Sequence, residues 1–343
     1  MISCSEAVKQ LWEYLDGTVD EADRALVEEH LSRCRRCCGE LEFARELRRV
    51  LAKSASVDPP ADVLRRLSQT LEELKPMSPD LMHTAEIKDL VRDAYRHVPP
   101  TTAAVAHNLY SDAELALLPQ SAIDRALGVA NHLRHATIRS GDTVLDLGCG
   151  GGIDTILAAH RTGPAGRVIA LDFLPEMLTR TADAAAQAGL SNVKPLEGEL
   201  EAIPLPDDSV DLIISNGVIN LSARKARVMA ECARVLKPGG ELCVSDLTVE
   251  QDHLPPEILT QPAAWAGCVA GALAEDDFLH KVQRAGFTGA RVLHREPLSI
   301  DDCALYPLFS DEVIALIRKL IPIERHGRVA VAVVVKALLP QMQ

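Results

Sequence analysis

A doubly wound α/β domain preceded by a small all-α domain is the fold class that three features of the sequence predict. Short aliphatic runs alternate with helix-length amphipathic stretches from about residue 140 onward. A glycine-rich turn follows the first of those runs, and the first 53 residues carry only helical periodicity. At 343 residues the chain exceeds what one hydrophobic core usually organises, so two domains are the natural expectation.

In the N-terminal region Ala7, Val8, Leu11, Trp12 and Leu15 recur at helical spacing before Asp16-Gly17 supplies a stop. A second helix beginning near Val19 or Asp20 carries Ala22, Leu26, Val27, His30 and Leu31. A third runs from about Cys37 to Lys53 with Leu41, Phe43, Leu47, Val50 and Leu51 as its stripe. Residues 1–53 are thus read as one helical domain. Two serines and Pro59-Pro60 break the pattern, Ala61 to Leu74 reads as a further helix, and Pro76, Ser78 and Pro79 break it again. Residues 54–85 are taken as a linker with its own helix, and 86–343 as the second domain.

Within that domain the runs Thr143 to Leu147, Val168 to Leu171, Val210 to Ile214 and Glu241 to Val244 are expected as strands. Helices are expected at Ile153 to Ala159, Pro175 to Ala188 and Ala223 to Val235. Repeated strand, helix, strand order implies a parallel sheet with helices on both faces, and a late antiparallel strand is expected at Ala330 to Lys336. Lys237-Pro238-Gly239-Gly240 reads as a turn.

The formal net charge of -13 argues against a nucleic-acid or anionic-membrane footprint. Residues 1–15 are amphipathic and contain Glu6, Lys9 and Glu13, so neither a signal peptide nor a membrane span is expected, and the expected location is the cytoplasm. Nine cysteines in a reducing compartment make a poor disulfide framework, and each is weighed for metal, redox or substrate chemistry.

The turn Asp146-Leu147-Gly148-Cys149-Gly150-Gly151-Gly152 lets a ligand approach the backbone closely at the start of a helix. It is compact and led by an acid. It therefore suits the zwitterionic methionine part of S-adenosylmethionine better than a pyrophosphate. Asp172, at the end of the second strand and followed by Phe173, is placed to accept hydrogen bonds from ribose hydroxyls. With Gly198 to Leu205, Ser209 to Asn216 and Arg234 to Gly240, the ordered set resembles class I methyltransferases of Rossmann-like fold across residues 140–250. The resemblance implies a cofactor site of Asp146, Gly148, Gly150, Asp172, Phe173, Glu199, Leu200 and Asn216, with Glu199 and Leu200 by the adenine and Asn216 beside the methionine moiety.

A finer resemblance, over about residues 86–290, is to arsenite methyltransferases. It rests on Leu109-Tyr110-Ser111 with Leu118-Pro119, on Gly152-Ile153-Asp154, on Ser215-Asn216-Gly217-Val218-Ile219-Asn220-Leu221-Ser222, and on Gly267-Cys268-Val269-Ala270-Gly271-Ala272-Leu273 with Asp277-Phe278. That family holds trivalent arsenic with three thiolates, soft ligands for a soft centre. Cys268 matches one thiol position, whereas the other two are Val129 and Gly217. Cys268 and Asn216 are the expected catalytic residues. The open volume at Gly217 suggests a bulkier small-molecule acceptor such as an organic thiol, amine or carbon nucleophile. His107, His132, His280 and His294 are candidate general bases, and Cys149, Cys232, Cys243 and Cys303 would matter only if the fold gathered them.

His30-x3-Cys34-x2-Cys37, with Cys4 on the first helix, offers four ligands for tetrahedral zinc. Residues 1 to about 75 resemble the zinc-binding anti-sigma factor domain. The resemblance implies a Zn2+ site of Cys4, His30, Cys34 and Cys37, a regulatory or interaction module, and a sigma factor or another protein as partner. Two alternatives to a small-molecule methyltransferase remain open at this point. One is an anti-sigma-type regulator whose second domain senses S-adenosylmethionine without turnover. The other is metalloid methylation with a rearranged thiol set.

Overall fold

The computed structural model describes residues 84–341 apart from His97, Ala223, residues 251–266 and Ala270, together with Tyr14, Arg24 and residues 26–28. The chain divides into two compact units, Met1–Ser78 and Pro79–Gln343. In the first, the described residues are helical and Val27 is buried. Tyr14 donates to Glu28 at 3.3 Å and lies under the Arg24 guanidinium. The proposed zinc ligands Cys4, His30, Cys34 and Cys37 lie outside the described residues.

The second unit opens with α1 (Thr84–Arg96) and α2 (Ala103–Leu109) and then alternates. β1 (Thr143–Leu147), α3 (Ile153–Thr162), β2 (Arg167–Asp172), α4 (Pro175–Gln187), β3 (Val193–Glu197) and β4 (Val210–Asn216) come first. They are followed by α5 (Lys225–Val235), β5 (Leu236–Thr248), α6 (Glu275–Arg284), β6 (Thr288–Leu298), α7 (Asp311–Leu320) and β7 (Ala330–Leu338). The sheet runs β3-β2-β1-β4-β5-β7-β6, with β1 to β5 parallel and β7 antiparallel to both its neighbours. This is the doubly wound α/β class expected from the alternation, with a Rossmann-like strand order.

Successive side chains of a strand point to opposite faces, and here both faces are covered. Val144, Leu212 and Ile214 enter one core with Ile153, Ile156 and Leu157 of α3. Leu145, Leu147 and Ile213 enter the other with Val228, Met229 and Cys232 of α5. That double burial is why these strands read as continuous aliphatic runs.

One expectation needs correction, and two strands are added to those expected. Lys237 to Gly240 is the start of β5 and not a free turn: Leu236 pairs with Val210, a register shift follows, and Gly239 takes φ +81° while its amide donates to Leu339. β3 and β6 were not anticipated, because their residues are mostly half-buried or exposed and show no aliphatic run. The strand order reverses between β1 and β4, and at such a switch point the carboxyl ends of the strands leave a crevice for ligands.

Candidate functional site

Two adjoining cavities open at that crevice, sharing Tyr95, Gly148, Gly150, Met177 and Val218. The first is also lined by Asp172, Phe173, Leu174, Gly198, Glu199 and Leu200. The second is lined by Asp146, Gly151, Gly152, Asp154, Asn216 and Gly217. The eight residues expected to hold the cofactor therefore all face one or the other.

The turn after β1 is shaped for close approach. Gly148 has φ +71°, Gly150 +52° and Gly152 +91°, a region that L side chains avoid. The amides of Gly148 and Cys149 both donate to the Leu171 carbonyl, at 2.8 and 3.0 Å, which ties the turn to the end of β2. Asp172 completes the tie: one carboxylate oxygen accepts from Gly150 N at 3.1 Å and the other from Leu174 N at 3.0 Å. Burial raises its pKa while those backbone donors oppose the shift. Each oxygen thus spends one lone pair on the fold and has capacity left for the cavity.

Asp146 is 2% exposed and accepts from Thr155 at 2.5 Å. Burial, reinforced by the charge of Asp154, pushes it up to about 8. A carboxyl whose folded pKa exceeds its unfolded value holds its proton in the folded state and loses it on unfolding over the intervening pH range. Stability therefore falls as pH rises from about 4 to about 8. In Asp146→Asn this part of the decline is expected to vanish, leaving a flatter unfolding free energy over that range in urea titrations of the ligand-free protein.

Asn216, at the end of β4, is a junction. Its carbonyl oxygen accepts from Val129 N and Ser245 Oγ, both at 2.8 Å. Its amide donates to the Ala130 carbonyl and to Asp154 Oδ2, both at 2.9 Å. Tyr110 donates to the other Asp154 oxygen at 2.8 Å. Gly128 is required here because a Cβ would collide with the Asn216 amide. Asn216→Ala strands several buried partners at about 1 kcal/mol each, so a loss of about 2–4 kcal/mol in chemical unfolding is expected.

The three positions compared with thiol ligands are gathered. A Cβ built on Gly217 would stand 3.2 Å from Val129 Cγ1, and the Cys268 thiol donates to the Gly217 carbonyl at 2.8 Å. Cys268 is 3% exposed with φ +62°, and burial and the charge of Asp246 raise its pKa well above the ordinary thiol value. Cys149 lines the second cavity, accepting from Thr181 at 3.4 Å, and Cys232, Cys243 and Cys303 are buried elsewhere, each pushed up to about 12 by burial. None of the four candidate histidines lines either cavity. His132 is fully buried, and His107, His280 and His294 are exposed.

The sequence reading missed α1, whose Val91 and Tyr95 wall the first cavity. Arg92 lies over the Phe173 ring, and Arg96 pairs with Glu176 at 3.0 Å, so α1 is fastened to the start of α4. Arg125 and Arg180 were also missed. They are far apart in sequence and carry no local motif.

A family model described as "Methyltransferase domain" matches residues 138–286, and one described as "Putative zinc-finger" matches residues 4–38. The arsenite methyltransferase of Halobacterium salinarum is 37% identical over 196 residues, covering 57% of this chain and 50% of that protein. That of Aquipseudomonas alcaligenes is 39% identical over 179 residues, covering 50% and 51%. The crystal structure of an arsenic(III) S-adenosylmethionine methyltransferase from Chlamydomonas reinhardtii superposes with a TM-score of 0.53 at 32% identity, over 71% of this chain and 75% of that one. The chain spans about half the length of the curated relatives it matches. Among the described residues, no helix is long and apolar enough to cross a membrane.

Proposed function

We propose that this chain, whose methyltransferase domain resembles those of arsenite methyltransferases, transfers a methyl group from S-adenosylmethionine to a small-molecule acceptor. The observation that carries this reading is the grouping of the glycine turn, Asp172 and Glu199-Leu200 around adjoining cavities at the sheet's switch point. Asp172 would take the ribose hydroxyls, Phe173, Glu199 and Leu200 the adenine, and Asp146, Gly148 and Gly150 the methionine end. S-adenosylmethionine, when bound by these residues, would supply an electrophilic sulfonium methyl group for the acceptor's lone pair. Alignment is the protein's main contribution to such a step. Asn216 acts as a positioning residue, holding the 128–130 segment against the second cavity.

The acceptor is not arsenite held by three thiolates. Val129 and Gly217 stand at two of the three positions, and Cys268 keeps its proton. A larger nucleophile, an organic thiol, amine or carbon centre, suits the space beside Gly217. Cys4, His30, Cys34 and Cys37 would hold zinc in the N-terminal module, a reading that the zinc-finger match over residues 4–38 supports. That module would serve as a regulatory or interaction element, with a sigma factor or other protein as partner.

Calorimetric titration with S-adenosylmethionine, followed by methyl-transfer assays on arsenite with excess thiol and on a panel of organic nucleophiles, tests the proposal. Binding with turnover of an organic acceptor is expected. Turnover of arsenite would replace the acceptor assignment, and binding without any turnover would favour a sensor.

A further inference from the structure

Leu127 and Gly128 line the second cavity, whereas Val129, Ala130 and Asn131 line a separate cleft that shares no residue with either cofactor cavity. α2 contributes Val105 and Leu109 to this cleft, and the end of β6 contributes Glu296 and Leu298. Leu305 and Tyr306, just past the short helix Ile300–Cys303, close it. The Tyr306 hydroxyl donates to the Gly128 carbonyl at 2.8 Å, which ties the cleft to the back of the second cavity. Leu305 is 39% exposed, so an aliphatic side chain there meets solvent.

The polar groups of the cleft are mostly acceptors. Asp302 is half-buried and lines it, and its Oδ2 takes two donors, Ser299 N at 2.8 Å and Ser299 Oγ at 2.6 Å. Glu296 has His294 Nε2 at 3.6 Å, and among the described residues neither carboxylate pairs with a Lys or Arg. Arg134, the one guanidinium in the lining, donates to the Leu109 carbonyl at 3.1 Å and lies 3.9 Å from Glu114. His135 stacks on His294 with ring centroids 6.1 Å apart. Burial, then the charges of His294, Lys336 and Arg134, lower the His135 pKa, so it brings no positive charge at neutral pH. Asn131 is 8% exposed, and its amide nitrogen donates to the Leu109 carbonyl and to both Glu114 oxygens at 3.1–3.4 Å. Those three acceptors fix which end of the amide is nitrogen. The Asn131 carbonyl oxygen is then buried without a hydrogen-bond partner. Unneutralised carboxylates and an unsatisfied carbonyl beside aliphatic side chains are complementary to a cationic donor on an apolar body.

We propose that this cleft is a second ligand site, taking a protonated organic amine whose apolar body lies on Leu109, Leu298 and Leu305 and whose ammonium is received by Asp302 and Glu296. The Asn131 carbonyl oxygen is a further acceptor for its N–H groups. The site stands apart from the methyltransferase reading, since no residue is common to it and the cofactor cavities. Its occupant would nevertheless rest against Val129 and Tyr306, which back the Gly128 wall of the second cavity.

The test titrates the full chain by calorimetry with three probes of one shape: 2-phenylethylamine, 2-phenylethanol and 3-phenylpropanoate. The amine is expected to bind about tenfold more tightly than the alcohol, and the carboxylate more weakly than either. Asp302→Asn keeps an oxygen for the Ser299 donors but removes the charge, so it should weaken the amine by about fivefold or more and change the alcohol by less than about twofold. Leu305→Trp, at an exposed position, should fill the cleft and weaken both probes by about fivefold or more, with an unfolding midpoint like that of wild type. An amine bound no more tightly than the alcohol overturns the site, as does a preference that survives Asp302→Asn combined with Glu296→Gln. Displacement of the amine by S-adenosylhomocysteine would place it in the cofactor cavities and overturn the site as well. Titration with S-adenosylmethionine alone reports on the methyltransferase reading, so the two can fail separately.

Discussion

Val129→Cys together with Gly217→Cys is expected to convert a chain that holds arsenite weakly, through one thiol, into one that chelates it with three. The fold has already brought these positions together, with a Gly217 Cβ placed 3.2 Å from Val129 Cγ1 and the Cys268 thiol 2.8 Å from the Gly217 carbonyl. Further soft ligands within one pocket bind without a new loss of translational freedom, a gain of about 100-fold to 10,000-fold in apparent affinity. Against it stands the left-handed backbone at position 217, φ +72°, where a side chain costs about 1–2 kcal/mol. The chelate should prevail. Arsenite titration with thiol counting measures the effect, Cys268→Ser in the triple-thiol background should reverse most of it, and an affinity equal to wild type would refute the convergence.

Gly148→Ala should be the most damaging single substitution in the cofactor turn. At φ +71° an alanine costs about 1–2 kcal/mol, and its Cβ would meet Val218 Cγ1 at 2.5 Å, an overlap that adds about 1–3 kcal/mol. Val218 walls both cavities, so the strain falls on the binding site itself. A fall of about 2–5 kcal/mol in unfolding free energy and loss of measurable S-adenosylmethionine binding are expected. Adding Val218→Ala should recover part of the stability by removing the two closest overlaps, at Cγ1 and Cγ2, while leaving the Val218 Cβ at 3.0 Å and the backbone strain. If the single variant binds cofactor normally, the turn is not shaped as described.

The parts legible in the sequence are those whose function depends on local spacing. Asp146 to Gly152 and Asp172 can be read because a tight turn needs glycine at fixed offsets, and doubly covered strands are aliphatic throughout. Val193–Glu197 is only half covered, and Thr288–Leu298 has a largely exposed face, so neither shows that signal. Arg125 and Arg180 meet only because α4 and the segment after Ile123 pack around the same turn, a relation no window of sequence contains. The pairing of Val129 with Gly217 and Cys268 was legible only by comparison with a family, and their convergence needed the fold.

The sheet's last strand in sequence is its sixth in space: β7 lies between β5 and β6. A nascent chain emerging from the ribosome therefore completes the described residues around both cavities, of which Ser222 comes last in sequence, long before residues 330–338 appear. Until then β5 is a bare edge whose backbone amides and carbonyls from Glu241 to Thr248 lack the partners that β7 supplies, a template for pairing with other chains.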